Sequence, residues 1–106
     1  MITANTAVKS IELVNAKSVI FAEEYLSKLS GERIENECKR KLEAGCEELV
    51  VNFSKTEIIN SIAISILLGV IDTASKTGAR VVFSHVNEET VELFDMLGLT
   101  KHVEIQ

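Results

Sequence analysis

Residues 49–83 read LVVNFSKTEIINSIAISILLGVIDTASKTGARVVF, and this stretch decides the fold. Leu49-Val50-Val51-Asn52-Phe53 is a short, nearly continuous apolar run, the pattern of a strand covered on both faces. A helix is expected from about Ser61 to Lys76, ended by Gly78. Val81-Val82-Phe83 then reads as a second buried strand. Strand, helix and strand in that order demand a crossover connection and a parallel pair.

The same alternation continues outward in both directions. Upstream, Ile34, Cys38 and Leu42 recur every four residues between charges. That is one apolar stripe on a helix lying between Ser27 and Ala44, with Gly45 as its C-terminal cap. Before it, Ala7 to Val14 carries Val8, Ile11 and Leu13 in weak alternation, Asn15-Ala16-Lys17 supplies a turn, and Val19-Ile20-Phe21-Ala22 begins a second strand that fades through Leu26. These two segments predict an N-terminal β-hairpin. Downstream, Asn87 is placed to cap a third helix with Glu88 and Glu89 in its first turn. Val91, Phe94 and Leu97 give that helix an inward stripe, Gly98 closes it, and His102 to Ile105 reads as a last strand. The predicted order is β-β-α-β-α-β-α-β: an α/β fold, one compact domain over 1–106, with a mixed but mostly parallel sheet and helices packed against it.

Composition narrows the function. Sixteen acidic against eleven basic residues leave a net charge of -5. The one dense basic run, Lys39-Arg40-Lys41, sits among acidic residues with no interleaved aromatics, so neither nucleic acid nor an anionic membrane surface is an expected partner. The longest apolar stretch, Ile62 to Ile71, is interrupted by Ser65 and Gly69 and falls well short of the ~20 residues of a membrane span. The first residues lack a basic segment followed by an apolar one, and Cys38 and Cys46 fit reduced thiols better than a disulfide framework, so a cytoplasmic location is expected. No cofactor or metal is called for. His85 and His102 have no metal-ligand spacing, no phosphate loop or nucleophile elbow is present, and Glu23-Glu24 and Glu47-Glu48 are sequence neighbours that cannot act as a facing pair. The protein is expected not to be an enzyme.

One helix start stands apart. A helix that opens at Asn60 or Ser61, after a strand and a short loop, lies at the carboxyl end of a parallel sheet, where partners tend to meet such folds. Either residue is a good N-cap. A hydroxyl there is also open to modification, and a phosphate would find first-turn amides and the helix dipole. At about 100° per residue, Ala63, Ile64, Leu67, Leu68, Ile71 and Ala74 share an arc that should face the sheet. Ile62, Ser65, Ile66, Gly69, Asp72, Thr73 and Lys76 share the other. Two isoleucines on the wet arc beside Ser61 are either a docking patch or are covered by another part of the chain.

Val51-Asn52-Phe53, Asn60-Ser61-Ile62-Ala63-Ile64, Gly78-Ala79-Arg80-Val81-Val82 and Leu93-Phe94-Asp95-Met96-Leu97-Gly98-Leu99 together resemble the STAS domain of anti-sigma-factor antagonists. The resemblance is good from about Glu48 to Ile105. It differs in Asn60, where the family usually has Asp, in the large Ile62, and in Ala63, where glycine is usual. It implies a partner-switching module with Ser61 as the phosphorylated residue and Asn60, Ser61, Ile62, Ser65, Ile66 and Gly69 at the partner surface. The implied partners are an anti-sigma factor that is also a serine kinase, and a PP2C-type phosphatase that resets the switch, with the protein itself a monomer or weak dimer. Transcription would be the regulated output. The alternative within the same resemblance is a constitutive scaffold subunit of a stressosome-like or lipid-transport ATPase complex.

Overall fold

In the computed structural model, which describes residues 17–106, the run at 49–53 becomes the centre of a four-stranded sheet. Its strands are β1 (Lys17–Phe21), β3 (Glu48–Asn52), β5 (Arg80–Ser84) and β6 (Glu104–Ile105), in the order β1-β3-β5-β6, and every pairing is parallel. Leu49, Val51, Val81 and Phe83 point to one face and join the main core; Val50 and Val82, one residue out of phase, are buried as well. The continuous apolar reading of β3 and β5 is thus a strand with both faces covered.

Two helices lie over the core face: α1 (Lys28–Glu43) and α2 (Ser61–Thr77). In α1 the buried stripe is Ile34, Cys38 and Leu42, as the four-residue recurrence predicts. Ser27 caps it through a capping box in which the partner is Ser30, itself buried. In α2 the buried positions are Ala63, Ile64, Leu67, Val70, Ile71 and Ala74, and the chain leaves through Gly78 at φ 81°, a left-handed cap that suits glycine. A third helix, α3 (Glu88–Met96), is capped by Asn87 and sends Phe94 against Phe53 and Phe83, with ring centroids 5.1–5.8 Å apart.

The structure departs from the sequence expectations at several places. The strand over Ala7–Val14 and its hairpin turn lie outside the described residues, Lys17 excepted, so the antiparallel part of the expected mixed sheet lies there too. The segment that follows does not fade as one strand: β1 stops at Phe21, and Tyr25–Leu26 form a separate strand, β2. Its parallel partner is β4 (Ile58–Ile59), inside what reads as a loop, and the two make a second small sheet. Two-residue strands are too short for any periodicity to show. Leu68, expected to face the sheet, is exposed, and Val70 takes the buried place, because α1 packs along one flank of α2 and rotates the buried arc toward itself. Leu97, expected on the inward stripe of α3, is the exposed C-cap residue, and a short 3-10 turn (Leu99–Lys101) separates α3 from β6.

Burial pushes the Cys38 thiol up to about 12 from 9.0, with the charges of Glu37, Cys46 and Glu35 adding to it. A raised folded-state value favours the neutral thiol. Its contribution to stability is therefore complete below about pH 9 and is lost as pH rises toward 12. Denaturant midpoints measured across that range should fall more steeply for the parent protein than for Cys38→Ala. Leu67 is fully buried between α2 and the sheet. Leu67→Ala should cost about 2–5 kcal/mol in urea unfolding through the cavity it leaves.

Candidate functional site

The site is built on two helix starts held side by side. Pairing of Tyr25 with Ile58 and Leu26 with Ile59 sets β2 beside β4, and each strand runs straight into a helix. Backbone bonds tie the two together along their length: Glu57 N and Ile58 N donate to Glu24 O at 2.8 and 3.2 Å, and Asn60 N donates to Leu26 O at 2.8 Å. The Thr56 hydroxyl adds a bond to Glu23 O at 2.9 Å, and Arg33 of α1 forms an ion pair with the Glu23 carboxylate. The caps of the two helices, Ser27 and Asn60, are consequently neighbours.

These caps divide the two serines found at helix starts. Ser27 is fully engaged: its hydroxyl accepts from Ser30 N at 3.3 Å, lies 3.2 Å from Ser30 Oγ, and its own amide donates to Ser30 Oγ at 2.7 Å. At α2 the capping role falls to Asn60, whose Oδ1 accepts from Ile62 N at 2.7 Å. Ser61 is then the first helical residue, exposed to solvent, and among the described residues no hydrogen bond engages its hydroxyl. The choice left open between Asn60 and Ser61 is settled in favour of Asn60 as cap. The first turn of α2 contains no acidic residue, and the amides of Ser61 and Ala63 have no intrahelical acceptor. The electrostatics around that hydroxyl therefore favour an anion.

Ser65 and Gly69 follow Ser61 at four-residue spacing and are likewise exposed, so the three form a ridge of small residues along α2. Ile62 is 51% exposed beside it. Ile66 differs from the expectation of a wet face. It is half-buried, and its Cδ1 reaches toward Gly31 of α1. The helical wheel gives the direction of Ile66 correctly but not the helix lying in that direction.

Three further apolar residues at this end escape sequence reasoning. Tyr25, Leu29 and Ile58 are 51%, 68% and 61% exposed. With Ile62 they occupy equivalent positions in two matching segments: Tyr25-Leu26-Ser27-Lys28-Leu29 and Ile58-Ile59-Asn60-Ser61-Ile62. Each reads apolar, apolar, cap, polar, apolar. The inner member of each strand, Leu26 or Ile59, turns toward the core, and the outer members face water. That internal similarity is the signal that could have found them.

Among the described residues no group of three or more His, Cys, Asp or Glu could hold a metal ion, and no helix is long and apolar enough to cross a membrane. Ser84, at the carboxyl end of β5, has a buried hydroxyl without a partner among the described residues, and the neighbouring His85 has φ 58°. A groove of about 530 Å³ lies elsewhere, at the amino end of β5 beside Arg80 and His102.

A family model described as the STAS domain matches residues 7–106. Among curated protein sequences, none matches the chain. Among solved structures it is similar to the NMR structure of the protein TM1081, with TM-score 0.76 and 15% identity over 86% of this chain and 74% of that one. It is also similar to the anti-sigma factor antagonist SpoIIAA in its unphosphorylated form, with TM-score 0.71 and 13% identity over 87% of this chain and 80% of that one. The Bacillus cell fate determinant SpoIIAA in the phosphorylated form gives TM-score 0.69 and 15% identity over 87% and 84%. At such identities the likeness shows a shared fold.

The division of labour at the start of α2 has a direct check. Asn60→Ala should destabilise the protein by about 1 kcal/mol, whereas Ser61→Ala should stay within about 0.5 kcal/mol of the parent in the same denaturation experiment.

Proposed function

The chain belongs to the STAS-domain family, and on that footing we propose that it is an anti-sigma-factor antagonist: a cytoplasmic partner-switching module, without catalysis of its own, controlled by phosphorylation of Ser61. The observation that carries this reading is the exposed Ser61 hydroxyl, without a hydrogen bond among the described residues, at a helix start whose cap is supplied by its neutral neighbour Asn60. A kinase needs an acceptor that can be approached and whose loss does not unfold the helix. Ser61 is exposed and is not the cap, whereas the half-buried Ser27 is engaged in the capping box that starts α1.

In this reading the unmodified protein binds an anti-sigma factor that is also a serine kinase. Docking uses Asn60, Ser61, Ile62, Ser65 and Gly69 on α2, with Ile66 backing the ridge from beneath. The exposed Tyr25, Leu29 and Ile58 extend that surface across the second helix start. Apolar residues so placed become favourable contacts once a partner covers them. A phosphate at Ser61 brings roughly -1.5 to -2 charges into that surface. On the free protein it is accommodated by the helix start; inside an apolar interface it must be desolvated, which is costly. Phosphorylation thus releases the partner without disturbing the fold, and a PP2C-type phosphatase restores binding.

Intact-mass and phosphopeptide mapping of the protein from its native cells tests this. An addition of about 80 Da at Ser61 that phosphatase removes is the expected result. Absence of the modification under all growth conditions would overturn the switch and leave a constitutive scaffold subunit as the function. Ser61→Asp should weaken binding to the co-purifying partner at least tenfold, about 1.4 kcal/mol, with an unchanged melting temperature; unaltered affinity would remove Ser61 from the interface.

A further inference from the structure

Gly31 is the fourth residue of α1 and is buried. Its φ is not positive, so the backbone does not require glycine there, and alanine is the better helix former. The reason for glycine is space. A methyl group added at Gly31 would lie 3.3 Å from Ile66 Cδ1 and 3.4 Å from both Cα and Cβ of Ala63. The isoleucine methyl, on a side chain of α2, would have to give way by a few tenths of an ångström. Ala63 Cα is main chain in the first turn of α2, two residues after Ser61, and at 3.4 Å it stands at the limit of ordinary contact, leaving no slack on that side. The contrast within the same helix pair is Gly69, where an added methyl would meet nothing nearer than Glu35 Oε2 at 3.9 Å.

We infer that Gly31 is a positioning residue for Ser61: its missing side chain seats the first turn of α2 against α1 and thereby sets where the Ser61 hydroxyl and Ile62 stand relative to Tyr25 and Leu29. The small sheet fixes the two strands that lead into the helices, and the Gly31–Ala63 contact fixes the helices one turn later. Two points of attachment define the relative tilt of the helix starts, which one alone would leave free. The inference rests on Ser61 as the phosphate acceptor.

The test compares the parent, Gly31→Ala, and Gly31→Ala with Ile66→Val, which removes the nearest crowding atom. Amide spectra and melting temperatures are recorded on the purified proteins, and Ser61 phosphate occupancy is read by intact mass from native cells. For Gly31→Ala the melting temperature should stay within about 4 °C, because the gain in helix propensity offsets crowding. The amides of Ser61, Ile62 and Ala63 should shift while those of β3 and β5 do not. Occupancy should fall about threefold or more, as misplacement of a reacting group lowers rate. Adding Ile66→Val should move both the amide positions and the occupancy back toward the parent.

Unshifted Ser61–Ala63 amides would overturn the inference. So would a loss of occupancy that follows a falling melting temperature and is not reversed by Ile66→Val, since that describes ordinary packing. A parent protein that never carries phosphate would overturn the acceptor role of Ser61 instead, and the amide spectra would then decide whether Gly31 seats that turn.

Discussion

The parallel pairing of Tyr25–Leu26 with Ile58–Ile59 contributes only two residues per strand, yet the arrangement of the candidate site depends on it. After β1 and β3 the two chains could separate as they leave the sheet. They are held together instead by backbone bonds from Glu57, Ile58 and Asn60 to Glu24 and Leu26, and each enters its helix beside the other. Everything proposed for Ser61 follows from this adjacency. A helix start standing alone would offer one serine and one isoleucine, whereas two in parallel offer a face broad enough to be recognised.

The core supports that face. Ala63, wholly buried in the first turn of α2, lies against Gly31 of α1, so small residues face one another where the candidate site begins. The family pattern usually has glycine at the position of Ala63. Here a buried alanine stands there, facing Gly31 of α1. The large Ile62, another departure from that pattern, is tolerated because its side chain points to solvent. The residues that depart from the motif therefore have places in this structure that do not disturb the helix start.

Much of this was legible in the sequence, for physical reasons that differ from element to element. Buried parallel strands announce themselves as unbroken apolar runs, and helices as four-residue recurrence, so β3, α1, α2 and β5 were readable within a residue or two. The exposed ridge of Ser61, Ser65 and Gly69 followed from helical spacing. The cover over Ile66 did not, because a wheel describes one helix in isolation while burial is decided by its neighbours. Nor did β2 and β4: two residues carry no period, and Glu57-Ile58-Ile59 reads equally well as loop or strand. With them went Tyr25 and Ile58, whose exposure depends on which side of that small sheet faces water.

The short β6 has a bearing on how this protein behaves at high concentration. An open sheet margin is a template on which a further strand can form, and long, flat margins invite chains to polymerise edge to edge. Among the described residues the margin at the β6 side is only two residues long, and one of them, Glu104, carries charge. A foreign strand arriving there would find too few unpaired amides and carbonyls to register against, and an acidic side chain in its path. A protein with Tyr25, Leu29, Ile58 and Ile62 exposed at one end benefits from offering little purchase for self-assembly elsewhere on its surface.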